Sequence, residues 1–447
     1  MRLAHALAGL LAAAAASSLT AAPAVGAMTA TTTATTRATG TTAAGTAATG
    51  PTAPTAALAG ALPGTTPIRN RPQFHGDSAV VEAVEQVGSR VVVAGHGITS
   101  YSQGNGTTVT STGAGLTATA ANDPTRVAWT GPAGGQWYSL LPASDGTHVW
   151  AGSSTGVSSV DVSTGRQTWT RPLGGKVTTI EQVPGTTYLI VAGSFPGGIA
   201  VLRRGTGADA PYAVPELNKG GRILHADVQP HGNHWVGVGT FTSVGGKVRS
   251  QAVMLTLSAT SASVTAWDVP LAHGPDGTGP CAARYQNFLH DVAFTHDGSA
   301  FFLVGTGARN SGMCDAVSRF ETRNISLAAA PTWITGTCTD TFWSVGVSPD
   351  DSYLLVGGHF KCIGMHHLPT SGTNVSRFAL AALDPVTGDV LPWKADKCRA
   401  VGTREISWIS GGVAIGYDCK FFGNSESVNP EPTPQTPRDR FAVLPLP

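Results

Sequence analysis

Charge is what this sequence has least of: Lys, Arg, Asp and Glu make up 12% of its 447 residues, 28 basic against 27 acidic. With neither sign in excess there is no basic footprint for nucleic acid and no polybasic patch for anionic lipid. Long apolar runs are missing as well. No stretch offers the roughly 20 apolar residues of a transmembrane helix, so the mature protein is expected to have no membrane span. Cysteine is scarce, six residues in all, and no two have the Cys-x-x-Cys spacing, which argues against structural zinc or a redox dithiol.

What is present begins with Arg2, an apolar run from Ala6 to Ala16 and small residues ending in Val25-Gly26-Ala27. Residues 1–27 therefore read as a cleaved secretory signal, with no cysteine near the cut to carry a lipid anchor. Removing them removes Arg2 and leaves 27 basic against 27 acidic residues. Residues 28–66 are almost entirely Thr, Ala, Gly and Pro, too poor in apolar surface to offset chain entropy, and read as a disordered linker. A glycosylated spacer or wall-embedded stalk is the alternative reading of the same threonines.

Residues 67–447 are repetitive, and the repeat organises everything else. Val347 to Phe360, VSPDDSYLLVGGHF, is a strand, a tight turn at Asp350 and Asp351, and an apolar strand ending in paired glycines. Variants occur at Ala79–Gly97, Trp137–Ser153, Val177–Phe195, Ile223–Phe241, Leu289–Gly307 and Ile406–Cys419, making seven copies. Two β-rich runs joined by Gly, Asp, Asn or Pro form a hairpin. After each comes a further strand, such as Gly156 to Val162, Ser250 to Leu257 or Arg377 to Asp384, and then a strand with an aromatic residue. That aromatic is Trp129, Trp169, Tyr212, Trp267, Trp333 and Trp393 in copies one to six. Four strands per unit, at a period of roughly 40 to 65 residues, predict an all-β, seven-bladed β-propeller of four-stranded antiparallel blades in one large domain. The last copy is incomplete, because Arg440 to Pro447 supplies a third strand and the chain then stops. An exposed strand edge is an aggregation liability, so the segment around Pro67 to Phe74 is expected to close the ring as the missing outer strand.

The cysteines follow the same frame. Cys281, Cys338 and Cys398 each lie just before a first strand, and Cys314, Cys362 and Cys419 just after the second strand of the same copy. Those two positions share one face of a propeller, so the expected disulfides are Cys281–Cys314, Cys338–Cys362 and Cys398–Cys419. Each would close a loop of a few tens of residues and contribute about 2–4 kcal/mol if unstrained.

Gly239 to Leu257 (GTFTSVGGKVRSQAVMLTL) and Gly357 to Trp393 (GGHFKCIGMHHLPTSGTNVSRFALAALDPVTGDVLPW) resemble the delta-60-type repeats of secreted actinobacterial propellers. VDVSTGRQTW and ALDPVTGDVLPW, ending at Trp169 and Trp393, are similar to the tryptophan-docking repeat of quinoprotein-like propellers, the second with one extra residue before its Trp. The resemblance implies that the Asp and Thr-Gly form a turn and that the Trp packs between blades. It covers copies two to six and carries no activity, since one fold hosts many functions.

Motifs with chemistry attached mostly dissolve. Gly152-Ser153-Ser154-Thr155-Gly156 has the G-x-S-x-G form, but a nucleophile elbow turns from strand to helix and here a strand follows. Phe74-His75-Gly76-Asp77-Ser78 contains the Gly-Asp-Ser of a lipase family, without its helix or its C-terminal Asp-x-x-His. Gly174-Gly175-Lys176 and Gly245-Gly246-Lys247 lack the full phosphate-loop spacing. The best candidate site is the disulfide-stapled face, whose loops carry polar groups on a rigid scaffold. Its ligand-binding candidates are Tyr285, Asn287, Arg309, Asp340, His359, His366 and His367, accompanied by His273, Asp276, Asn310, Asp315, Lys361, Asp396, Arg399 and Asp418. The three histidines in copy six are potential metal ligands, but a solvated loop explains them as well, and no metal or other cofactor is expected. Taken together, the sequence reads as a secreted or cell-surface, non-catalytic binding module for an extracellular carbohydrate or envelope protein, expected to be a monomer. The alternative is a propeller enzyme, either a polysaccharide lyase or glycoside hydrolase or a quinone-dependent oxidoreductase, with its site on the stapled face; a purely structural envelope role is the third reading.

Overall fold

The computed structural model describes residues 61–272, 288–307, 313–338, 340–368, 372–398, 402–423 and 436–447, without the side chains of 365–368 and 436. Among these residues the regular structure is strand, apart from one 3-10 turn at Pro270–Ala272. Seven antiparallel meanders follow one another along the chain. Their innermost strands are Val80–Val87, Trp137–Pro142, Lys176–Gln182, Ile223–Val228, Leu289–Phe294, Phe342–Val347 and Thr403–Ile409. Each packs against the innermost strand of the next meander, and the seventh packs against the first.

The second strands explain why the copies look alike. Tyr188–Ser194 and Ala300–Gly305 are buried nearly end to end, because neighbouring sheets cover both of their faces and leave no polar side. Apolar clusters fill each gap between sheets, such as Val236, Met254, Trp267, Phe301 and Phe320 between the fourth and fifth. The glycine closing the second strand is dictated by close approach: a Cβ on Gly193 would stand 2.1 Å from the Lys176 carbonyl oxygen, and one on Gly239 2.0 Å from that of Arg222.

All seven innermost strands carry an irregularity at the same place. The ladder to the second strand skips one residue, leaving Glu82, Tyr138, Thr178, Leu224, His290, Trp343 and Arg404 as the bulged positions. A bulge turns an extra side chain away from the regular alternation and re-aims it. Here it re-aims one residue per sheet toward the centre.

The repeated aromatics join each sheet to the next. Trp129 Nε1 donates to the Val162 carbonyl at 2.8 Å, Trp169 Nε1 to Arg204 at 3.1 Å and Trp333 Nε1 to Pro385 at 3.2 Å. Tyr212 does the same with its hydroxyl, 2.9 Å from the Ser258 carbonyl and 2.8 Å from that of Ser261. Trp267 instead stacks edge-on against Phe301 and Phe320.

Residues 63–68 meet the C-terminal strand at the seventh sheet. Gly64 N–H donates to the Pro445 carbonyl at 2.7 Å, Ile68 N–H to Val443 at 2.8 Å, and Trp393 Nε1 to the Pro63 carbonyl at 2.6 Å. The residues beside Phe441–Leu444 thus start a few positions earlier than the sequence suggested. Phe74 N–H also donates to the Asp439 carbonyl at 3.0 Å, while Gln73–His75 pairs with Ser100–Ser102, which pairs with Thr108–Thr110 in a small separate sheet.

Two of the expected disulfides are present, Cys338–Cys362 and Cys398–Cys419, with Cα atoms 5.5 and 6.4 Å apart. The third expectation involves Cys281, which lies outside the described residues. The segment around Cys362, read from sequence as a loop, is the strand Cys362–Leu368; it pairs with Trp333–Thr337 and widens the fifth sheet to six strands.

Candidate functional site

A cavity of about 980 Å³ runs between the innermost strands, and all seven of them line it. Its entry, at the end where those strands begin, is formed by Glu82, Tyr138, Lys176, Arg222, His290, Trp343 and Arg404. Farther along the strands it is lined by Glu85, Glu181, His225, Asp227, Asp291 and Glu405. Five of these seven entry residues are bulged positions, so the repeated irregularity of the fold builds the site.

The entry is cationic. The Arg404 guanidinium lies 3.8 Å from the centre of the Trp343 ring, and the His290 ring packs on the same indole at 3.9 Å. Lys176 Nζ sits 3.7 Å over the Tyr138 ring. Burial lowers the Lys176 pKa, opposed by Glu82 and reinforced by Arg404 and Arg222. Burial and the nearby Arg404 charge push His290 down to about 3, so its imidazole is neutral. Glu82 is the one acid at this level: burial pushes it up, but the His96 bond at 3.1 Å and Arg404 outweigh that and hold it below the ordinary range.

Below the entry the sign reverses. Burial raises Glu85 to about 8 and Asp227 to about 6, the latter against the pull of the Phe294 N–H, 2.8 Å from its Oδ2. Glu181 and Glu405 are raised well above the usual range, first by burial and then by neighbouring carboxylates. His225 balances them in part. Burial would lower it, but Asp291 at 2.6 Å outweighs the burial and the net shift is upward. Several of these acids therefore carry protons near neutral pH and can donate hydrogen bonds as well as accept them.

The sequence-derived candidates among the described residues do not line this cavity. Asp340 and His359 form an ion pair at 3.0 Å on the loops that enter and leave the first hairpin of the sixth sheet, next to Cys338–Cys362. His366 and His367 lie on the added strand of the fifth sheet, opposite Gly336 and Thr335. Asp315 accepts from the Gly307 N–H, Asp396 from the Phe378 N–H and Asp418 from the Gly402 N–H, which are turn-fixing roles. Tyr285, Asn287 and Arg309, with His273, Asp276, Asn310 and Arg399, lie outside the described residues. Among the described residues no group of three His, Cys, Asp or Glu side chains is arranged to hold a metal ion. The channel residues were missed because they sit in strands rather than loops. Their signal was present in the polar positions that interrupt otherwise apolar first strands, VVEAVEQV and KVTTIEQ for example.

No family model matches the chain, and no curated protein matches it. Solved structures that are similar include hydrazine synthase of Kuenenia stuttgartiensis, 14% identical, covering 64% of this chain and 77% of that one at a TM-score of 0.43. The WD40 β-propeller domain of Doa1 is 10% identical, covering 78% of this chain and 92% of that one at a TM-score of 0.45.

Proposed function

We propose that the chain is a secreted, seven-bladed β-propeller that binds an acidic extracellular carbohydrate at the entry of its central channel. The observation that carries this is the grouping of Lys176, Arg222 and Arg404 around one cavity of about 980 Å³. At the entry, above the acids that line the rest of the cavity, three cations against the single carboxylate of Glu82 favour an anionic group, and a concave site of this size suits an oligosaccharide better than a flat protein face. The protonated acids beneath supply donors and acceptors for sugar hydroxyls. Seven meanders packed innermost strand to innermost strand support the propeller reading, and pairing of residues 64–68 with the last strand supports closure of the ring. Disulfides fit an oxidising compartment and hence secretion. Kinship with delta-60-type repeat proteins belongs to the same proposal and rests on the quoted motifs.

A second reading, cleavage of that carbohydrate, is favoured by one observation. Burial raises Glu85 to about 8, and burial with neighbouring carboxylates raises Glu181 and Glu405 well above the usual range, which is how a general acid is made. Calorimetric titration of the mature protein with uronic-acid oligosaccharides and their neutral counterparts tests the first reading. Binding is expected for the acidic set, weakened at least about tenfold by Arg404→Gln, the equivalent of about 1.4 kcal/mol. Equal affinity for both sets would end the proposal, and shortened oligosaccharides in the same cell would establish the second reading.

A further inference from the structure

Away from the channel, where the first and seventh sheets meet, Ser102, His75 and Asp439 stand in one hydrogen-bonded row. His75 ends the strand Gln73–His75, Ser102 ends its neighbour Ser100–Ser102, and Asp439 precedes Phe441–Leu444. His75 Nδ1 is 2.5 Å from Asp439 Oδ2, and His75 Nε2 is 2.6 Å from Ser102 Oγ. The three residues are 27 and 364 positions apart, so only the fold assembles them.

The far end of the row is firmly held. Arg440 Nη1 donates to Asp439 Oδ1 at 2.6 Å, while the same guanidinium donates to the carbonyls of Ala79 and Gly76 at 2.6 and 2.9 Å. The Asp439 N–H donates to Gln73 Oε1 at 3.0 Å. With Asp439 acting as acceptor, the proton of a neutral His75 sits on Nδ1, and Nε2 is left to accept the Ser102 hydroxyl. That is the order of a nucleophile, its general base and the group that orients the base. The Thr108 hydroxyl lies 2.9 Å from Ser102 Oγ on the other side, where it can donate to an oxygen developing charge beside the serine. Thr108 is exposed and Ser102 is 7% exposed, so the row opens to solvent through a narrow approach.

We propose that Ser102 is a nucleophile that accepts the acyl group of a small ester, with His75 as general base and Asp439 as the positioning residue. In the first step the Ser102 Oγ–carbon bond forms and the ester C–O bond breaks. The hydroxyl proton passes to His75 Nε2 and from there to the departing alcohol. Water, deprotonated by the same imidazole, then cleaves the acyl-serine and restores the hydroxyl. Only a small acyl group fits, because Ser102 has so little open surface.

A small fluorophosphonate reports this directly on the folded full-length chain, since Oγ–P formation expels fluoride and sends the serine proton to His75. One adduct per chain, mapped to Ser102, is expected, with a labelling rate that rises with pH. Ser102→Ala should abolish the adduct and His75→Gln should slow it by about 100-fold or more. Asp439→Asn should displace the midpoint of the pH–rate curve, a readout that a merely structural role would not move. A folded wild-type protein that stays unlabelled, or is labelled on another serine, overturns the proposal whether or not the variants fold.

Discussion

Lys397 has no exposed surface, and its ammonium donates to the Cys398 carbonyl at 2.7 Å, 4.9 Å above the Tyr417 ring. Burial brings its pKa down from 10.5 to about 7, with Asp418 opposing and Arg404 reinforcing the shift. Between those two values the unfolded chain holds a proton that the folded chain has lost, so this residue makes stability rise with pH across that window. Below pH 7 the lysine is charged in both states, and the folded protein carries the full cost of burying it, on the order of a few kcal/mol. Lys397→Met removes the linkage while keeping most of the volume. Its melting temperature is expected to exceed that of the wild type at pH 6, with the gap narrowing by pH 9; a pH-independent gap would mean that the amine stays protonated in the folded protein across this range and that burial does not lower its pKa. Nothing in the local sequence, KADKCRA, marks this lysine as buried, because the burial comes from strands that meet it only in the folded sheet. The channel acids were hidden for a related reason: the bulge at Glu82 breaks strict alternation, so Glu82 and Glu85 face one cavity although they are three residues apart.

At the level of the element, the aromatic repeat was legible and its partner was not. The sequence placed Trp129, Trp169 and Trp333 at one repeat position, and the structure adds that each indole lies over the turn of the next sheet. Those turns contain Gly165, Gly207 and Gly388, where an added Cβ would meet the tryptophan ring at 2.7, 2.4 and 2.6 Å. Gly388 has φ of +77° and Gly185, in a hairpin turn with open space around it, has φ of +69°. Alanine at either position bears the cost of left-handed backbone, about 1–2 kcal/mol, but only at Gly388 must the neighbouring Trp333 also move. Gly388→Ala is therefore expected to destabilise the protein by about 1–3 kcal/mol more than Gly185→Ala, as read from denaturant midpoints. Equal losses would show that Trp333 docking contributes nothing beyond its own turn. The strand Cys362–Leu368 shows the opposite limit of sequence reading. KCIGMHHL has only the two-residue strand Val375–Ser376 as a partner nearby in sequence, and the edge it joins on its other side, Trp333–Thr337, belongs to the preceding sheet.

For the whole molecule the decisive contact is the seam. Six of the sheet-to-sheet junctions join consecutive stretches of chain, whereas the first and seventh sheets are brought together from opposite ends of the sequence. Their shared core holds Val81, Val93, Ala414, Val443 and the edge-on pair Phe74 and Phe441, whose ring centres are 5.9 Å apart. Along the outer edge of Phe441–Leu444, the backbone groups of Val443 and Pro445 are satisfied by residues 64–68. Without that segment the edge presents unpaired carbonyls and becomes a template for another chain. A chain lacking residues 61–70 also loses the Pro63 carbonyl that Trp393 Nε1 uses, while Ser102, His75 and Asp439 all remain. It is expected to unfold at lower temperature and to form oligomers whose mass rises with concentration in light scattering, and a peptide of residues 61–70 added in excess should return it toward the monomer. If the shortened chain stays monomeric with an unchanged melting temperature, the inner-strand contacts alone hold the first and seventh sheets together, and residues 64–68 only cover an edge that was already safe.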